Sequence, residues 1–175
     1  MPRLLRLGLA QLRPAKANYA ANRAQVSALI ANAVALSPRP DVLHFPETAL
    51  TGYFLEGGVR DLAVTAGTLA ADLQQDFIAS AAAGATIDVV IGFYERWRNT
   101  LYNSVMYVTL SANGAVIRHV HRKNFLPTYG LFDEARFVEA GRDVRAFDTA
   151  WGRAALLVCE DAWHSITGTI AALDR

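Results

Sequence analysis

The sequence predicts an α/β layered domain built around a mixed sheet. Two observations carry that prediction. Short apolar runs alternate along the chain with amphipathic stretches of helical spacing. In addition, Asn113-Gly114 lies between two apolar runs, the signature of an antiparallel hairpin, so the sheet cannot be purely parallel. With 175 residues, the chain fits one domain over residues 1–175 and is long enough to bury a sizeable core.

Leu4 to Leu12 is short, apolar and followed by Pro14, and reads as a buried strand. Lys16 to Leu36 follows as an amphipathic helix. Val26, Ile30 and Val34 share one face, Gln25 and Asn32 point the other way, and the prolines at 38 and 40 end it. Asp41 to Phe45 is a second short strand, stopped by Pro46. A loop with Gly52, Gly57 and Gly58 leads to a helix over Thr68 to Ala83, with Leu69, Leu73, Phe77 and Ile78 inward and Gly84 as its stop. Ile87 to Glu95 reads as a third buried strand. Tyr102 to Leu110 and Ala115 to His121 form the hairpin. Lys123 to Gly141 is long and mostly irregular. Arg153 to Cys159 reads as another buried strand, and Ser165 to Leu173 as a helix.

Composition narrows the function classes. Hydrophobic residues make up 53% and charged residues 19%, which excludes disorder. The formal net charge is +1, so nothing electrostatic points to nucleic acid or an anionic membrane. No segment reaches the roughly 18 uninterrupted apolar residues of a membrane helix. The single cysteine allows no internal disulfide, and the chain reads as cytoplasmic.

Three residues share a topological property. Glu47 lies just past the carboxyl end of a strand, Lys123 follows the hairpin's second strand, and Cys159 closes a strand before a helix. Sites in α/β sheets gather at such ends. A thiol needs a base to become a nucleophile, and a cation stabilises the oxyanion that forms on attack. Taken alone, Cys159 also fits a buried structural thiol, Glu47 a solvated acid and Lys123 a surface cation. The four histidines show no convincing metal spacing.

Phe45-Pro46-Glu47-Thr48-Ala49-Leu50-Thr51-Gly52-Tyr53, Arg122-Lys123-Asn124-Phe125-Leu126-Pro127 and Leu157-Val158-Cys159-Glu160-Asp161-Ala162-Trp163 resemble the glutamate, lysine and cysteine motifs of the nitrilase superfamily of carbon–nitrogen hydrolases. All three occur in family order, and the resemblance runs from Leu4 to the chain end. Glu134 to Gly141 resembles the segment that holds the family's second active-site glutamate, which places that role on Glu134. Leu126 to Glu134, together with Cys159-Glu160-Asp161, is most similar to the glutaminase domain of glutamine-dependent NAD synthetase.

The resemblance implies an αββα sandwich with mixed sheets, of which this chain holds the N-terminal portion with the C-terminal part missing. It implies hydrolysis of an amide rather than a nitrile through a Cys159 thioester, with release of ammonia or amine. Glu47 would be the base and Lys123, with the backbone N–H of Glu160, the oxyanion stabiliser; Glu134 would hold Lys123 and the substrate in place. No cofactor and no metal are implied, and the partner is a small-molecule amide. A homo-oligomer is expected at full length. Tyr129 and Glu160 match positions that contact glutamine in the synthetase branch, while Tyr129 also suits packing and Glu160 the start of the next helix. Tyr53 and Trp163 fit either packing or the substrate pocket. Two alternatives stay open: the glutaminase portion of an NAD synthetase, and a truncated binding module without turnover.

Overall fold

A computed structural model describes residues 4–53, 55–80 and 84–174. The main sheet has five strands in the order β1-β2-β3-β4-β5: Leu7–Leu9, Val42–His44, Thr86–Trp97, Thr100–Ser111 and Gly114–Arg122. The first three run parallel, as strands joined through helices must, and β3, β4 and β5 are antiparallel. The mixed sheet inferred from Asn113-Gly114 is therefore present, with Ser111 paired to Gly114 across that turn. A second hairpin escaped the sequence reading. Arg98 and Asn99, at φ 47° and 65°, form a two-residue turn between β3 and β4.

Helices α1 (Tyr19–Ala35) and α3 (Ala66–Ser80) cover one face of this sheet, with the single-turn helix α2 (Val59–Leu62) between them in sequence. Asn18 starts α1 by accepting from the Ala21 N–H at 3.1 Å. Val26, Ile30, Leu69, Leu73 and Phe77 pack against Val89, Ile91 and Phe93 of β3. Alternate residues of β3 face the other way, so Val90 meets Tyr107, Phe147 and Leu156. That second layer is a two-stranded antiparallel hairpin, β6 (Ala146–Thr149) and β7 (Gly152–Ala155). Helices α4 (Glu160–Trp163) and α5 (Ser165–Leu173) follow it.

Several elements differ from their sequence reading. The segment around β1 is not buried: Leu7 and Leu9 are 61% and 73% exposed. β1 is an edge strand, and Leu7 lies along a groove that the short β6–β7 hairpin lines but does not cover. Ile78 is exposed as well, because Leu69, Leu73 and Phe77 already form the i, i+4, i+8 stripe and Ile78 falls one step, about 100°, off it. The last strand ends at Ala155 rather than reaching Cys159, since its partner β6 runs out there. The final residues expected in the second helix, 81–83, lie outside the described residues.

Candidate active site

Glu47 sits on a segment that rides along β3. The Phe45 N–H donates to Val90 O at 2.7 Å, and the Ala49 N–H to Gly92 O at 3.0 Å. Gly92 makes this approach possible: a Cβ there would stand 2.7 Å from Glu47 Cα. Lys123 is fixed from both sides, its N–H donating to Asn103 O at 2.9 Å and its carbonyl accepting from the Gly141 N–H at 2.8 Å. Glu134 opens a 3-10 turn over Glu134–Arg136 and accepts from the Phe137 and Val138 N–H groups.

These elements bring the charged groups together. Lys123 Nζ, with no exposed side-chain surface, donates to Glu47 Oε1 at 2.9 Å and to Glu134 Oε2 at 2.7 Å. Burial acts most strongly on Lys123 and pulls its pKa down, but the two carboxylates together outweigh it and the net shift is upward. Lys123 is therefore an ammonium at neutral pH.

Cys159 stands at the sharp bend before α4, with φ 45° and ψ −104°, a conformation that costs a non-glycine residue energy. The bend leaves the cysteine exposed. Burial first, and then the Glu47 charge, push its thiol up, while Lys123 and a hydrogen bond from the Glu160 backbone N–H pull it down; the net shift is upward. The resting sulfur is thus a thiol.

The remaining sequence candidates divide. The Tyr53 ring centroid lies 5.9 Å from Lys123 Nζ, and burial, followed by the Glu134 and Glu47 charges, raises its hydroxyl pKa. Tyr53 therefore belongs to the cluster. It also lines, with Leu55, Val59, Tyr94, Glu134 and Phe137, a cavity of about 280 Å³. Tyr129 is exposed, and its hydroxyl donates to Glu160 Oε2 at 2.9 Å. Trp163 is 82% exposed, and no contact joins it to the cluster among the described residues.

The contacts of two further residues at the site escaped the sequence reading. Asn103, on β4, donates from Nδ2 to both Glu47 Oε1 and Glu134 Oε1. Its signal was an amide inside a long strand, where Asn is disfavoured. Asp161 is completely buried and accepts from His121 Nε2 and from the backbone N–H groups of Asn124, Phe125 and Val158. In the sequence it stands only as one letter of the cysteine motif, and nothing in one sequence pairs it with His121, 40 residues away.

The carbon-nitrogen hydrolase family model matches residues 6–175. The chain belongs to that family. Among curated proteins, the chain is 26% identical over 169 residues to a probable nitrilase of Schizosaccharomyces pombe, covering 94% of this chain and 58% of the relative. It is 32% identical over 168 residues to a glutamine-dependent NAD(+) synthetase of Xylella fastidiosa, covering 94% of this chain and 29% of the relative. The chain thus spans just over half of the first and under a third of the second. Among solved structures, the glutamine-dependent NAD+ synthetase of Acinetobacter baumannii superposes with a TM-score of 0.71 at 26% identity, over 94% of this chain and 29% of that one. Saccharomyces cerevisiae Nit3, a member of the nitrilase superfamily, superposes with a TM-score of 0.76 at 19% identity, over 97% and 60% of the two chains. The nitrilase-type α/β fold expected from the motifs is the fold of this chain.

Proposed function

We propose that this chain carries the cysteine, base and oxyanion groups for hydrolysing a non-peptide C–N bond of a small-molecule amide. The observation that carries this reading is the cluster itself: an exposed thiol under the influence of Glu47, which accepts from Asn103 and from a buried ammonium shared with Glu134.

In the first half-reaction Glu47 takes the Cys159 proton as the sulfur forms a bond to the amide carbon, and the carbonyl π electrons move onto oxygen. Lys123 meets this oxyanion with the one N–H it does not give to the carboxylates, and the Glu160 backbone N–H meets it from the other side. The C–N bond then breaks, the nitrogen takes the proton from Glu47, and ammonia or amine leaves. A thioester remains on Cys159. In the second half-reaction Glu47 takes a proton from water, the resulting hydroxide attacks the thioester, and the C–S bond breaks. The sulfur recovers its proton and the acid leaves. Glu134 keeps Lys123 in place throughout.

A glutaminase is the narrower reading. It is supported by the Tyr129–Glu160 hydrogen bond beside Cys159, made by two side chains that match glutamine-contacting positions of the synthetase branch, and by the similarity to NAD synthetases. Release of ammonia from glutamine, simple aliphatic amides and N-carbamoyl amino acids, each with Cys159→Ala as control, tests both readings. Turnover that depends on Cys159 supports the first, and a preference for glutamine supports the second. Turnover that survives Cys159→Ala contradicts both, and binding without any turnover would favour a non-catalytic module.

A further inference from the structure

The side chain of Asn103 is wholly buried between the two glutamates. Its Nδ2 donates to Glu47 Oε1 at 2.6 Å and also to Glu134 Oε1. Both amide protons are thereby spent on carboxylates. The carbonyl Oδ1, by contrast, is buried with no hydrogen-bond partner among the described residues. Rotating the amide by half a turn would set that oxygen against two carboxylate oxygens, so the contacts themselves fix its orientation. A buried polar atom left without a partner is uncommon and destabilising. Here it is tolerated so that Nδ2 can face both acids.

The same contacts make the two oxygens of Glu47 unequal. Oε1 accepts from Asn103 and from Lys123. Oε2 is the oxygen left for the thiol. We propose that Asn103 is a positioning residue for the proton transfer: it pins Glu47 through Oε1 so that Oε2 receives the Cys159 proton, and it holds Glu134 in register on the other side of Lys123. The proposal rests on the cysteine–glutamate chemistry above. Without Asn103, Glu47 is tied down by Lys123 alone and can turn about its side-chain bonds, and one ionic hydrogen bond to the carboxylate is lost.

The test is Asn103→Leu, which keeps the volume and removes both donors. The expected result is a fall in kcat of about tenfold or more with a smaller change in KM, because orientation and not substrate contact is lost. Alkylation of Cys159 by iodoacetamide is measured against pH in parallel. Glu47 helps hold the thiol above its ordinary value, so loosening Glu47 is expected to move the alkylation midpoint of the variant to lower pH. Alkylation needs no amide turnover, so a wild-type chain that hydrolyses nothing would sink the functional reading while this profile still decides the role of Asn103. An unshifted profile in folded Asn103→Leu overturns the proposal. If the variant does not fold, the side-chain amide protons of Asn103 in the wild-type chain decide by nuclear magnetic resonance. They should move with the same midpoint as alkylation, and amide signals indifferent to pH across that range overturn the proposal.

Discussion

His121 Nε2 lies 2.8 Å from Asp161 Oδ2, and both side chains are shut off from solvent. The same carboxylate accepts from the Asn124 and Phe125 N–H groups, which follow Lys123, and from the Val158 N–H, which precedes Cys159. One buried acid thus ties the lysine arm of the site to the cysteine arm.

Removing it should be expensive. Asp161→Ala strands several buried donors and is expected to lower stability by about 3–5 kcal/mol, read from urea unfolding. Burial is the largest influence on Asp161 and pushes its pKa up, yet His121 and the backbone N–H groups hold it below the ordinary value of 3.8. A carboxyl lowered in the folded state contributes stability that is full above its unfolded pKa and lost as pH falls through the folded one. The wild-type chain should therefore lose stability in acid below about pH 4, more steeply than Asp161→Asn.

Gly92→Ala tests the backbone contact that sets Glu47. The added methyl would meet Glu47 Cα at 2.7 Å, Thr48 N at 2.7 Å and Pro46 O at 2.8 Å, all of them backbone atoms that cannot swing aside. Stability should fall by about 1–3 kcal/mol. Cys159-dependent turnover should fall by about 100-fold, since a shift of about 1 Å in the base suffices for that. Turnover at the wild-type rate would show that Glu47 does not need this placement.

Lys123→Met leaves Glu47 and Glu134 facing each other without their shared cation. The expected loss is about 3–5 kcal/mol in urea unfolding. Because the Lys123 pKa is raised from 10.5, its contribution is fully present below that value and fades as pH rises through the higher folded one. The ammonium also pulls the Cys159 thiol down, so the ultraviolet thiolate titration of the variant should move to higher pH.

Tyr129→Phe removes a single donor, the one to Glu160, from an exposed side chain. The melting temperature should stay where it is. KM for glutamine should rise several-fold with kcat little changed, as expected when a contact made equally in ground and transition states is lost. An unchanged KM would remove Tyr129 from the substrate site.

The sequence carried the elements with strong local signals: the α1 stripe, the α3 stripe through Phe77, and the Asn113-Gly114 turn. It missed what depends on a distant neighbour. Whether Leu7 is buried depends on how far the β6–β7 hairpin reaches over the sheet, and the end of β7 depends on where β6 stops. Glu47, Lys123, Glu134 and Cys159 were legible because their motifs are local strings, and the structure brings all four together. Asn103 and Asp161 act through partners 31 to 56 residues away, and no local pattern marks such a pair.

The most direct measurement is mass spectrometry of the chain after brief exposure to amide substrates, quenched in acid and digested. An acyl group of the substrate's mass on the peptide containing Cys159, absent from Cys159→Ala and diminished in Glu47→Gln, is the predicted result. Ammonia release with no adduct on Cys159, or an adduct on another residue, would contradict the thioester chemistry at its centre.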